Sequence, residues 1–141
     1  FSAHFVKVHV DPSTGIVKLK KVIATGDGGK IISEKTARSQ MIGGAVGGIG
    51  MALTEEVLID HSTGKYINDN LGSYHVPLHT DVPPIDAWFP NKPDPVINAT
   101  GAKGVGEIAL VGFAAAVANA VFNATGKRIY RLPIKPEDLL S

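Results

Sequence analysis

The sequence contains no cysteine among its 141 residues. Without thiolates the chain itself carries no iron–sulfur cluster, cysteine-ligated zinc site, cysteine nucleophile or disulfide. An excess of charge of one sign is also missing, because 14 Lys and Arg face 13 Asp and Glu. This balance offers no basic surface for nucleic acid. Hydrophobic residues make up 44% of the sequence, which is enough for the core of one domain or part of a larger one.

A targeting leader is not recognisable either. The chain starts at Phe1 and enters a strand pattern at once, with no basic segment, apolar run and cleavage site ahead of it. We therefore expect a cropped or processed chain.

The longest uncharged run extends from Ile108 to Gly126, long enough to raise the question of a membrane span. Polar and small residues such as Gly112, Asn119 and Asn123 interrupt this run, and alanine outnumbers leucine. We expect no membrane span but a tightly buried, alanine-rich helix with Glu107 at its start and Gly126 just past its end.

The first 25 residues or so have the pattern of an antiparallel hairpin. Val6, Val8 and Val10 fall on one face, and the residues that alternate with them fall on the other: Phe5, Lys7 and His9. This period of two is typical of a strand. A turn sequence follows at Asp11 to Gly15, and the β-branched stretch from Ile16 to Thr25 supplies the partner strand.

A glycine-rich helix is predicted from about Glu34 to Ile59, with Ser33 as its N-cap. Five glycines inside it cost on the order of 5 kcal/mol of helix propensity: Gly43, Gly44, Gly47, Gly48 and Gly50. Another element must therefore approach this backbone closely. A packed helix or sheet is favoured over direct contact with a ligand, because rows of small residues let backbones pack without one.

Six prolines between Tyr74 and Thr100 exclude long helices there and predict an extended segment. Short strands are expected at Val82 to Phe89, at Pro95 to Asn98 and at Ile129 to Leu132. A terminal helical turn is expected from Pro136 onward. The fold class is therefore α+β: an N-terminal hairpin, a glycine-rich helix, a proline-rich extended segment and a buried alanine-rich helix.

Two apparent ligand motifs are weak. His75 and His79 stand four residues apart with Asp81 nearby, but Pro77 argues against the helix that would bring them together. We expect no metal ligands in this chain. The Gly43 to Gly50 stretch lies within a helical pattern, so it does not match a phosphate-binding glycine loop.

Residues 101 to 107, with the sequence GAKGVGE, are the most informative stretch. Free amides and a positive helix end would meet there, which suits an anion. Glu107 by itself is more simply a glutamate at a helix start, but Gly104 and Gly106 would also admit a bulky ligand to the backbone. The residues alone therefore favour a non-catalytic anion- or nucleotide-binding module, and a structural fragment without a ligand stays open.

With its neighbours this motif resembles the C-terminal end of the molybdenum-binding subunit in the xanthine oxidase and aldehyde oxidase family. The similar segments are IAL at 108 to 110, AAAVANAV at 114 to 121, TGKRI at 125 to 129 and LPI at 132 to 134. Upstream, TARSQ at 36 to 40, GIGMAL at 48 to 53 and YHVP at 74 to 77 resemble the same subunit in the same order. The resemblance covers nearly the whole chain, residues 1 to 141, as one C-terminal segment of a larger molybdopterin-binding domain.

The resemblance implies roles for particular residues. Glu107 would be the active-site base, and Lys103, Gly104, Val105 and Gly106 would lie against a molybdenum–pterin cofactor in its cytosine dinucleotide form. Gln40 would hydrogen-bond that cofactor. The loop before the helix would hold its phosphates or nucleotide end: Lys30, Ile31, Ile32, Ser33, Glu34, Lys35 and Thr36. Family members usually have Asn-Pro where this chain has Ser33 and Glu34, so these two are the least supported contacts.

The activity implied is oxidation of an aldehyde or nitrogen heterocycle, with water as the oxygen source. The resemblance ranks this molybdenum hydroxylase activity above the non-catalytic binding module. Because this chain has no cysteine, 2Fe–2S clusters, with or without FAD, would belong to other chains or domains. The partners expected are the rest of the molybdenum-binding subunit, those redox subunits and a small-molecule substrate. The compartment is expected to be cytoplasm or periplasm, and the isolated chain is expected to be inactive.

Overall fold

The computed structural model describes residues 1 to 140 and has the α+β class expected. Its elements in chain order are β1 (Ser2–Val10), β2 (Val17–Gly26), α1 (Glu34–Leu53), β3 (Ile59–Asp60), β4 (Lys65–Tyr66), a 3₁₀ turn (His79–Asp81), β5 (Ile85–Trp88), α2 (Ile108–Val111), α3 (Phe113–Thr125) and α4 (Pro136–Leu140).

The N-terminal hairpin is confirmed. Strand β1 pairs antiparallel with β2, from Ser2 opposite Gly26 to Val10 opposite Val17. Asp11 shapes the turn, since its Oδ1 accepts hydrogen bonds from the Ser13 amide at 2.8 Å and hydroxyl at 2.6 Å. Strand β5 adds to the other edge of β2 in parallel, giving the order β1-β2-β5. Strands β3 and β4 form a separate small hairpin.

Helices α1 and α3 cover one face of this sheet and enclose the core. Phe113, Ile49, Val117 and Val121 are almost completely buried and pack with Val22 of the sheet. The valines of β1 face this core as their alternation predicts, whereas their neighbours on β1 are exposed.

The glycine face of α1 is packed against α2 and α3, as expected. A Cβ added at Gly44 would lie 2.9 Å from Ala109 Cβ, and one added at Gly48 would lie 2.5 Å from Phe113 Cβ. Gly43 has open space around it. Close helix packing therefore accounts for Gly44 and Gly48, and it does not account for Gly43.

The predicted end of the glycine-rich helix is wrong, whereas its N-cap residue is confirmed in position. Helix α1 ends at Leu53 rather than near Ile59, because the amides of Thr54 and Glu55 both turn back to the Gly50 carbonyl and close the last turn. Ser33 does occupy the N-cap position, but its side chain makes no capping hydrogen bond.

The alanine-rich helix is interrupted at Gly112, which separates α2 from α3. The His4 ring of β1 lies against Gly112, only 2.8 Å from where a Cβ would stand. The αL residue Gly126 ends α3 as expected, donating its amide to the Phe122 carbonyl at 2.7 Å. The predicted tight burial is wrong for this chain, since only one face is covered.

The apolar run Ile108–Thr125 is, by length and composition alone, able to cross a membrane, and 28% of it is buried. One such segment is weak evidence for a span. The buried fraction consists of the residues that face α1 and the sheet: Ala109, Phe113, Ala114, Val117 and Val121.

Two of the three additional strands predicted are wrong. Val82 to Phe89 does contain β5, but Pro95 to Asn98 forms a turn and Ile129 to Leu132 is irregular. In the first case the Asp94 side chain accepts the Val96 amide, which bends the chain locally instead of leaving it extended. In the second, Ile129 packs onto the core as a single side chain. The helical turn at Pro136–Leu140 is confirmed as α4.

Candidate functional site

The GAKGVGE segment forms a loop, here called the motif loop (residues 101–107), which lies against the glycine turn (residues 26–30). The Lys30 amide donates to the Gly101 carbonyl at 2.8 Å, and the Lys103 amide donates to the Gly28 carbonyl at 2.9 Å. Gly29 and Gly101 have φ values of 63° and 70°, a region that favours glycine. Two segments more than 70 positions apart are thereby joined like strands.

The proline-rich segment is hydrogen-bonded to the motif loop and to the loop before α1. The Asp94 amide also donates to the Gly101 carbonyl, at 3.0 Å, and the Asn98 Nδ2 donates to the Ala102 carbonyl at 2.8 Å. Asn91 accepts the Ile31 amide on its Oδ1 at 2.8 Å, which ties down the loop before α1. Several backbone polar groups at residues 28 to 31 and 101 to 103 are therefore satisfied outside any helix or named strand.

A cavity of about 360 Å³ opens between the motif loop, the glycine turn and the first turns of α1. Its wall includes eight of the twelve residues predicted to contact a cofactor: Lys30, Ile31, Ile32, Ser33, Thr36, Gln40, Lys103 and Val105. The fold thus brings the residues before and at the start of α1 next to residues 102 to 105. A cofactor bound by both segments would require this arrangement.

The other four residues lie elsewhere. Glu34 and Lys35 line a neighbouring surface hollow with Arg38, on the other side of the first turn of α1. Gly104 and Gly106 are exposed beyond the cavity wall. The contacts predicted for all twelve residues stay predictions.

Gln40 contacts Gly106, the residue that precedes Glu107. The Gln40 Nε2 lies 3.5 Å from the Gly106 carbonyl oxygen, the long limit for a hydrogen bond. Glu107 follows, exposed, with φ −109° and ψ 14°, and its carboxylate makes no capping hydrogen bond to α2. A purely capping role therefore has no support in the geometry.

Nothing in the described chain requires glycine at positions 104 and 106. Neither residue has a positive φ, and an added Cβ would meet no atom of residues 1 to 140 within 4 Å. By contrast, Gly28 would bring a Cβ within 2.6 Å of both Ile31 and Val105. The two open glycines leave backbone that a large ligand can approach closely, so the residues present fit a bulky cofactor.

The Lys103 ammonium does not point into the cavity. Its Nζ lies 2.6 Å from Asp27 Oδ2 and 3.0 Å from Asp94 Oδ2, with all three side chains 25–29% exposed. The Lys103 hydrogen bond lowers the pKa of Asp27 and of Asp94, and the two carboxylates raise the pKa of Lys103. Asp27 and Asp94 are the site residues that sequence reasoning missed. Asp27 stands in a conspicuous Gly-Asp-Gly-Gly turn, but no pattern links Asp94 to it.

Residues 1 to 140 contain no cluster of three or more His, Asp or Glu side chains that could hold a metal ion. That His75 and His79 hold no metal stays a prediction. The anion site expected at a long helix start is also weakened, because α2 has only four residues.

Comparison with known proteins decides the family. Residues 1–83 match the model of a molybdopterin cofactor-binding domain. The chain belongs to the molybdopterin cofactor-binding domain family. It is 44% identical over 140 residues to the aldehyde oxidoreductase molybdenum-binding subunit PaoC of Escherichia coli strain K12, covering 99% of this chain and 19% of that protein.

Other relatives of this molybdopterin-binding chain agree. It is 37% identical over 139 residues to the putative xanthine dehydrogenase molybdenum-binding subunit XdhA of the same strain, covering 99% of this chain and 18% of that protein. The crystal structure of an aldehyde oxidoreductase from Desulfovibrio gigas superimposes with a TM-score of 0.86 at 34% identity, over 99% of this chain and 15% of that one.

The chain thus corresponds to part of a molybdenum-binding subunit and spans about a fifth of the length of the curated relatives it matches. The family model ends before the motif loop, whereas the alignments with these relatives include it. The relatives named here are molybdenum oxidoreductases of the aldehyde oxidoreductase and xanthine dehydrogenase types.

Proposed function

We propose that this chain is the C-terminal segment of the molybdenum-binding subunit of an oxidoreductase that hydroxylates an aldehyde or a nitrogen heterocycle, and that Glu107 is its general base. The observation that carries the proposal is the shared cavity. Two segments with predicted cofactor contacts, one before and at the start of α1 and one in the motif loop, line the same space.

The residues of this chain would hold the pterin cofactor, in its cytosine dinucleotide form, along that wall. Gln40 offers an amide donor on the cavity wall, close to Gly106, the residue that precedes Glu107. Beyond the wall, Gly104 and Gly106 present bare backbone. On the wall, Lys30 supplies a positive side chain for phosphate. Glu34, in the neighbouring hollow, lies where its negative charge would not line the same cavity.

When bound, the molybdenum cofactor supplies the two-electron oxidation of the substrate carbon, with water as the source of the oxygen. Glu107 accepts on a carboxylate oxygen the proton that the water-derived oxygen loses, which makes that oxygen the better nucleophile. Such general-base assistance is typically worth about 10²- to 10⁴-fold in rate. The exposure of Glu107 in this chain leaves its carboxylate free for that role.

The proposal also requires other polypeptide. The rest of the subunit would close the cavity over the cofactor and supply the substrate pocket. Electrons would leave through 2Fe–2S clusters, with or without FAD, on other chains or domains, because this chain has no cysteine to ligate them.

The cofactor assignment is tested by adding bulk where the chain itself leaves space. In the complete enzyme, Gly104→Val and Gly106→Val should each lower the molybdenum and pterin content per subunit, and Gly106→Ala should lower it less. Thermal unfolding of the apo forms should stay close to the parental value, because an added side chain meets nothing within residues 1 to 140. Full molybdenum and pterin content in both valine variants would contradict the proposed cofactor position.

A further inference from the structure

We propose that Lys103 is a positioning residue: its ammonium, held between the Asp27 and Asp94 carboxylates, fixes the motif loop and thereby Glu107, instead of neutralising a cofactor phosphate. This inference rests on the proposed function of Glu107. It concerns a residue whose sequence context places it against the cofactor, and the structure places its charge elsewhere.

The ion cluster connects three separate parts of the chain. Asp27 belongs to the glycine turn, Asp94 to the proline-rich segment and Lys103 to the motif loop. Lys103 lines the cavity and also a second hollow formed with Asp27, Asp94 and neighbouring prolines. Its ammonium lies with the two carboxylates, which belong to that second hollow and not to the cavity wall. The Lys103 side chain thus joins the motif loop to the glycine turn and to the proline-rich segment. These are the same two segments to which the loop backbone is hydrogen-bonded.

Charge argues against a phosphate at this ammonium. Two carboxylates already accept its hydrogen bonds at 2.6 and 3.0 Å, so the cluster carries a net charge of about −1 at neutral pH. A phosphate brought to Lys103 would face both Asp27 and Asp94, and like charges repel at such distances. Lys30, on the cavity wall, is the better placed cation for an anionic group.

The part of the motif loop between Lys103 and Glu107 depends on this anchor, because the hydrogen bonds that hold the loop lie mainly at residues 101 to 103. Gly104 and Gly106 contribute no side-chain packing, and the Val105 side chain lies close to Gly28, 2.6 Å from where a Cβ on that glycine would stand. Beyond Glu107 the chain is fixed again, since the Leu110 amide donates to the Glu107 carbonyl at 2.9 Å and Ala109 is buried. Lys103 therefore fixes the N-terminal side of the segment that carries the base.

The test compares removal of the cation with removal of its partners in the complete, cofactor-loaded enzyme. The variants are Lys103→Met, Lys103→Arg and the double variant Asp27→Asn/Asp94→Asn, with the single variant Asp94→Asn as the milder change if the others do not fold. Lys21→Met is the matched control, because it breaks the exposed Lys21–Asp86 pair, whose atoms lie 2.8 Å apart on the sheet.

Positioning predicts the same behaviour for Lys103→Met and the double aspartate variant. Amide hydrogen exchange across residues 101 to 107 should rise about tenfold, and kcat should fall about 10- to 100-fold with little change in KM, since small displacements of a catalytic group have effects of this size. Molybdenum content should stay near parental. Lys103→Arg should recover part of the loss, and Lys21→Met should change none of these values.

A phosphate role predicts the opposite pattern and would overturn the proposal: Lys103→Met would lose molybdenum, whereas the aspartate variants would keep it or bind it better. Unchanged loop exchange and kcat in Lys103→Met would overturn it as well. A wrong assignment of the base is distinguishable from a wrong role for Lys103. If Glu107 is not the base, Glu107→Gln keeps full turnover, and the hydrogen-exchange measurement still tests whether Lys103 fixes the motif loop.

Discussion

The Phe113 side chain occupies the space that a side chain at Gly48 would need. An added Cβ at Gly48 would lie 2.5 Å from Phe113 Cβ, and Phe113 is completely buried. This contact sets the distance between α1 and α3. It therefore also sets the position of α2, because α2 directly follows Glu107 and only Gly112 separates it from Phe113 at the start of α3.

Gly48→Ala should destabilise the chain by about 1 to 3 kcal/mol, because Phe113 has no room to move away. Urea unfolding of the purified chain measures this. Gly43→Ala is the control on the same helix: its Cβ would meet nothing within 4 Å, so the gain in helix propensity should stabilise by up to about 1 kcal/mol. Equal stability of the two variants would show that α1 and α3 are not in close contact.

The isolated chain should contain much less than one molybdenum atom per molecule. The cavity wall contributed by this chain includes many exposed residues, and cofactor sites normally bury most of the ligand surface. Elemental analysis of the purified chain, with the complete enzyme as reference, measures the content. Stoichiometric metal, or oxidation of an aldehyde with an artificial dye as acceptor, would mean that the chain forms the site alone.

The Asp27–Lys103–Asp94 cluster should be insensitive to pH over a wide range. The folded-state pKa values of both aspartates lie below the ordinary 3.8, so their contribution is complete above that value and is lost as pH falls through the lowered pKa values. The pKa of Lys103 lies above 10.5, so its contribution is complete below 10.5 and is lost as pH rises through the raised pKa.

Carboxyl ¹³C chemical shifts of the chain, followed from neutral to acidic pH, give the two aspartate midpoints. Both should lie below 3.8 and should rise in Lys103→Met, because its charge and hydrogen bonds are the main cause of the lowering. Asp86, whose pKa is lowered mainly by Lys21, is the internal control and should keep its midpoint. Unshifted midpoints of Asp27 and Asp94 in the variant would contradict the ion cluster.

Local patterns predicted much of this fold. The alternation of Val6, Val8 and Val10 with a turn at Asp11 is complete within a short stretch, so the hairpin follows from sequence alone. The glycines of α1 indicated a close helix contact, and Gly44 and Gly48 make one. These features depend on spacing along the chain, which the sequence displays directly.

Features that depend on distant partners were not predictable. The end of α1 at Leu53 involves amides that return to Gly50, and the glycine at the break between α2 and α3 lies against His4, more than a hundred positions away. The parallel pairing of β5 with β2 is likewise non-local. An isolated apolar stretch such as Ile129 to Leu132 has the composition of a strand, but it finds no neighbouring strand in the described structure.

The site divides in the same way. The GAKGVGE motif indicated a backbone that a ligand can approach, and its two open glycines agree with that indication. The orientation of the Lys103 side chain is set by Asp27 and Asp94, which no spacing rule connects to it. Sequence therefore located the motif loop, and only the structure showed where its charge points.

The most direct test of the account is the rate at which excess substrate reduces the metal in a single turnover of Glu107→Gln, measured in the complete enzyme. Glutamine keeps the size and hydrogen-bonding capacity of glutamate but does not accept the proton. Single-turnover reduction also does not depend on later electron transfer. With molybdenum content and fold at parental values, the rate should fall by at least about 10²-fold. A near-parental rate at full molybdenum loading would show that Glu107 is not the base.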